Sequence, residues 1–157
     1  MKCFNLKSSL LAGLVATAAM TILTVVAPMM GMPKMDIPGM LSGFMGTGRM
    51  VGWGAHLMVG LVLAIGFGLF FYERLQFNSA IRGAMFAMIP WLMAQLVMMP
   101  MMGMGLFSGS MLMAGGSLMG HLVYGMVLGA IYRPRTSSED GECVPHGSSA
   151  QGSVIKL

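Results

Sequence analysis

Charge is what this sequence lacks. Only 9% of its 157 residues are Asp, Glu, Lys or Arg, while 56% are hydrophobic. A soluble domain has about a quarter of its residues charged, so too little charge is present to coat a water-facing surface of this size. Acidic groups are the scarcer sign, five against nine basic ones. Asp36 and Glu73 fall on opposite sides of any membrane the chain crosses and cannot cooperate. No HExxH, no Ser–His–acid set and no phosphate loop occurs, and GTGR at Gly46–Arg49 lacks the strand–helix context of one. These absences point away from an enzyme. Cysteine is sparse as well: Cys3 and Cys143 are too few for a disulfide framework.

What is present is apolar sequence in long runs. Ser9–Met29, Val51–Tyr72, Gly83–Met102 and Met113–Tyr132 contain no Asp, Glu, Lys or Arg. Each has the length of about twenty residues that an α-helix needs to cross a bilayer. Open strands are excluded there because every backbone polar group must be satisfied within the segment. The first run could be taken for a signal peptide, with Lys2 and Lys7 ahead of it and Ala16–Ala18 resembling a cleavage site. Its apolar stretch continues to Met30, longer than such a segment needs, and favours a retained helix.

Lys2, Lys7, Arg74, Arg82, Arg133, Arg135 and Lys156 flank one side of these spans, and only Lys34 and Arg49 the other. The positive-inside rule then places both termini in the cytoplasm, where both thiols should stay reduced. This distribution explains a net charge of +4 by topology, and no nucleic-acid partner is expected. Residues 1–135 form the transmembrane domain, and the polar, Gly/Ser-rich residues 136–157 should be a disordered cytoplasmic tail. Cys143 and His146 within it are spaced like ligands, but two ligands in a loose tail make a poor metal site.

The chain repeats itself. PMMGM occurs at Pro28–Met32 and at Pro100–Met104, and His56 and His121 begin HLMVGLVLA and HLVYGMVLG. Gly13 and Gly83 open corresponding helices. The expected fold is an all-α, polytopic membrane four-helix bundle. It is built from two parallel helical-hairpin repeats, residues 8–75 and 79–133, about an axis along the membrane normal. Small residues, with one histidine in each run, recur every four positions in the second helix (Gly52, His56, Gly60, Ala64, Gly68) and in the fourth (Ser117, His121, Gly125, Gly129). Such stripes let helix backbones approach closely in lipid. The second and fourth helices should therefore cross at the centre and hold both histidines on the contact. Pro90 should kink the third helix, and Thr17, Thr21, Thr24 and Gln95 offer interhelical hydrogen bonds. Asp36 and Pro38 mark the start of a short interfacial helix, with Ile37, Met40, Leu41, Phe44 and Met45 on its apolar face.

An ionisable residue inside a membrane is a functional candidate by default, although a neutral imidazole can equally serve as a hydrogen-bonding packing element. Methionine sharpens the choice: of 22, seven fall between Met29 and Met50 and seven between Met98 and Met113, all near the two outer loops. Thioethers and imidazoles suit Cu(I) or Ag(I), whereas methionine used only for packing would not gather at one end. The candidate copper ligands are His56, His121, Met29, Met30, Met32, Met101, Met102 and Met104. Haem b between the histidines conflicts with the close approach that glycine stripes impose. A small transporter would need a wider path than four spans supply, unless the protein dimerises. The leading expectation is a non-enzymatic accessory or scaffold subunit in the lipid bilayer, with a membrane-protein partner or a second copy of itself. Soft-metal binding is the alternative.

AGLVATAAM, APMMGMPKMDIPGML, VMMPMMG and GHLVYGMVLGAIY together resemble a family of small four-helix bacterial inner-membrane proteins with no known activity. The resemblance spans about residues 10–132. It implies a bacterial inner membrane and four helices, and it supplies no catalytic residue.

Overall fold

The computed structural model describes residues 2–74, 76–137 and 143–145. Helix α1 (Leu6–Val26) starts at Asn5, whose side chain accepts from the Ser8 backbone N–H and so satisfies one donor that a helix start leaves bare. A 3-10 turn over Ala27–Met30, with Pro28 near its start, extends it. Helix α2 (Ile37–Phe44) is capped by Asp36, which accepts from Gly39 N–H and pairs with Arg49 at 2.9 Å. Helix α3 (Arg49–Gly66) widens into a π-helical turn over Phe67–Phe71. Helix α4 (Ser79–Met93) contains Pro90 and passes through a second π-helical turn, Ala94–Met98, into the short α5 (Met99–Met101). Proline removes an N–H and crowds the preceding turn; the helix runs on through Pro90, and the widened turn Ala94–Met98 lies just ahead of Pro100. Helix α6 (Met111–Ile131) is capped by Ser110.

Four helical stretches, Leu6–Met30, Arg49–Phe71, Ser79–Met101 and Met111–Ile131, are long and apolar enough to cross a membrane. Their outer faces carry exposed Leu11, Ile22, Val62 and Phe70. Apolar surface this extensive is tolerated in lipid and not in water.

Helix α1 lies between α3 and α6, α6 also packs on α4, and α2 covers α3. This overturns the expected central crossing of α3 and α6, which touch only marginally. Each small-residue stripe instead faces the long helix that precedes it in the chain. On α3, Gly60 faces Thr17 and Ala64 faces Gly13, while Gly52 meets the Pro38 carbonyl of α2. On α6, Gly125 faces Gly83 and Ala87, and Gly129 meets the Ser79 carbonyl and Gly83. The physical reason is that α1 and α4 present small faces of their own, which let the backbones of α3 and α6 approach them. Gly68 completes the α3 stripe against Ser9, Phe4 and Tyr132.

The end bearing both termini is aromatic. Tyr132 stacks edge-on against Phe67 and Tyr72 at 5.9 and 4.8 Å, and Phe86 lies 5.4 Å from Phe67. Ser8 accepts from the Arg133 backbone N–H at 2.7 Å, which stitches the end of α6 to the start of α1. Strands β1 (Lys2–Cys3), β2 (Arg135–Ser137) and β3 (Cys143–Pro145) form an antiparallel sheet in that order. Residues 136–137 and 143–145, expected as disordered tail, are therefore paired strand. The remainder of that tail, His146 included, lies outside the described residues. Cys3 is disulfide-bonded, contrary to the expected free thiol; the other cysteine of the chain, Cys143, stands on β3.

Candidate functional site: a buried histidine pair and a methionine-lined cavity

His56 is buried on α3, with Nε2 3.2 Å from the Thr21 hydroxyl of α1. That hydroxyl donates its single proton to the Thr17 carbonyl at 2.8 Å. It can then only accept, so His56 is assigned the Nε2–H tautomer and keeps a lone pair on Nδ1. His121 lies on α6 with Nδ1 2.8 Å from the Ser117 carbonyl, one turn earlier. A carbonyl cannot donate, so His121 carries its proton on Nδ1 and its lone pair on Nε2. Trp53 packs edge-on to His56 at 6.5 Å.

Tyr124, one turn past His121, donates its hydroxyl to the Gly60 carbonyl at 2.5 Å. This bond reaches from α6 across to α3, where the stripes themselves do not meet. Tyr124→Phe should therefore lower bundle stability by about 1 kcal/mol, the usual net worth of one hydrogen bond. Thermal unfolding of purified protein in detergent measures it; an unchanged midpoint would mean that the bond contributes nothing.

The eight candidate copper ligands do not come together. Met29 and Met30 are 85% and 79% exposed. Met32 borders a small crevice with Leu23, Thr24, Met35, Gly116 and Met119. Met101, Met102 and Met104 border a different space, a cavity of about 370 Å³ that they share with Gly39, Met40, Gly43 and Phe44. Neither histidine lines either space, and no group of three His, Cys, Asp or Glu able to hold a metal exists among the described residues. Sequence reasoning left Thr21 and Met40 in lesser roles and passed over Tyr124. Thr21 stood out only as a membrane hydroxyl, and Met40 only as part of an apolar helix face.

The helices, their apolar exteriors and a buried interior of threonine, histidine and tyrosine define a multi-pass helical membrane protein. The chain belongs to DUF6789, a family of unknown function, whose profile matches residues 4–142. Comparison with curated proteins and with solved structures finds no match.

Proposed function

We propose that this protein is a non-enzymatic accessory or scaffold subunit of a bacterial inner membrane, built by duplication of one helical hairpin. The carrying observation is the like-for-like contact in both halves. Gly60 against Thr17 and Ala64 against Gly13 in the first correspond to Gly125 against Ala87 and Gly129 against Gly83 in the second. Two rigid hairpins with backbones in near contact make a frame. The polar groups inside it are spent on the frame itself: His56 on Thr21, His121 on Ser117, Tyr124 on Gly60. Recognition is left to the apolar exterior, which suits a neighbouring membrane protein or a second copy.

Seven positive charges on the side of the termini against two on the other support a cytoplasmic location of both ends. The disulfide at Cys3 argues for an oxidising compartment instead. Charge has the greater weight, because moving several cations across the membrane during insertion is what the rule penalises.

The test is assembly at native expression. Extracted gently from its own membranes, the protein should migrate in a complex of defined stoichiometry, with one partner or with itself. A lone monomer under those conditions would overturn the accessory role.

A further inference from the structure

Beyond a scaffold role, we propose that the cavity between α2 and α5 binds a soft monovalent cation, Cu(I) or Ag(I), through the thioether sulfurs of Met40, Met101, Met102 and Met104. The cavity measures about 370 Å³, and its remaining lining is Gly39, Gly43 and Phe44. The only side-chain heteroatoms it offers are therefore four sulfurs. Hard cations such as Ca²⁺ and Mg²⁺ favour sites with carboxylate oxygens, which no side chain here supplies, and zinc requires imidazole, thiolate or carboxylate. Thioethers select Cu(I) and its heavier congener.

Packing is the competing explanation for any methionine, since its flexible chain fills irregular gaps. Here the four side chains border a hollow open to the surroundings, and Met101 is 61% exposed, so it fills no core gap. At about 30 Å³ per water in the liquid, its roughly 370 Å³ corresponds to about a dozen molecules. The donors also come from separate parts of the chain. Met40 stands mid-way along α2, whereas Met101 ends α5 and Met102 and Met104 follow it. A bound cation would thus clamp α2 against the end of the third span.

The histidines take no part, because neither lines the cavity and each is hydrogen-bonded within the bundle. An all-thioether site has a distinct signature. Thioethers do not titrate, and Asp36, the carboxylate at the head of α2, is paired with Arg49. Affinity should stay flat as pH falls from about 7.5 to about 5.5, whereas an imidazole site would weaken as histidine protonates near its usual value of about 6.5.

The experiment uses the full-length protein in detergent, titrated with Ag(I) directly and with Cu(I) in competition with a chromogenic chelator. One equivalent should bind with submicromolar affinity. Combining Met40→Leu, Met101→Leu, Met102→Leu and Met104→Leu should weaken binding by about tenfold or more, about 1.4 kcal/mol. The double change His56→Ala with His121→Ala should leave it within about twofold (roughly 0.4 kcal/mol). X-ray absorption at the copper edge of the unaltered, loaded protein should show sulfur neighbours alone. That measurement decides the matter even if the leucine variant fails to fold. Absent binding, full binding in a folded leucine variant, loss in the histidine variant, or imidazole scattering in the spectrum would each overturn the assignment.

Discussion

Leucine in place of Gly125 should break α6 away from α4. A Cβ at Gly125 would already collide with the Gly83 carbonyl oxygen and lie 2.7 Å from the Ala87 Cβ. The reciprocal Cβ at Gly83 would collide with the Gly125 carbonyl, and one at Gly129 with that of Ser79. These obstacles are backbone atoms of a helix, which cannot rotate aside as a side chain can. Overpacking in a well-filled core costs typically about 1–3 kcal/mol, and a four-carbon side chain forced between two backbones belongs at or above the top of that range. Against a total stability of about 5–15 kcal/mol, the second hairpin would open. Unfolding in mixed micelles with increasing dodecyl sulfate, followed by circular dichroism, should show a large drop in midpoint.

Two companions make the experiment interpretable. Gly54→Ala points into open space, with no atom within 4 Å; it should be neutral or slightly stabilising, since alanine favours a helix by about 1 kcal/mol over glycine. Gly60→Ala meets the Thr17 hydroxyl, a side chain able to rotate at the cost of its 2.7 Å bond to the Gly13 carbonyl. Its penalty should fall between the others, at about 1 kcal/mol. A Gly125→Leu protein with an unaltered midpoint would show that backbone contact does not hold α6 against α4.

The four spans were legible because missing charge is a local property that any window of the sequence displays. The stripes were legible too, but not their partners. Periodicity says that Gly60 and Gly125 face a close neighbour; it does not say which helix supplies it. The face formed by Ala12, Gly13, Ala16 and Thr17 is equally small and fully buried, and lacks only the strict four-residue glycine spacing that draws the eye. The histidines share a register and so invited pairing, yet what each does depends on Thr21 and on the Ser117 carbonyl. Strand β2 was invisible for another reason. Its partner Lys2–Cys3 lies at the opposite end of the chain, and a two-residue strand leaves no alternating pattern. Met40 was read from its helix face alone, and only the folded loop sets Met101, Met102 and Met104 around the same space.

Removing the side-chain amide of Gln95 should have the next largest effect, and it should be felt in a loop. Gln95 sits in the widened turn after Pro90 and is 1% exposed. Its Oε1 accepts from the Ser108 hydroxyl at 2.9 Å. Ser108 and its neighbour Phe107 have φ of 59° and 53°, in the left-handed region that costs about 1–2 kcal/mol per residue with a β-carbon. Something must hold them there. Phe107 packs against Trp91 at 6.3 Å between ring centres, and the Gln95 bond pins Ser108 into the bundle. Gln95→Leu keeps the volume but strands a buried hydroxyl, a loss of about 1–3 kcal/mol. The turn should then relax outward and surrender its strain. Hydrogen exchange over Gly103–Ser110 should accelerate by tenfold or more (about 1.4 kcal/mol per factor of ten), with little change in α1 or α3. Adding Ser108→Gly to that variant should restore part of the protection, because glycine brings no hydroxyl to satisfy and adopts positive φ freely. Exchange in the loop that stays at its original rate in Gln95→Leu would mean that ring packing alone fixes the turn.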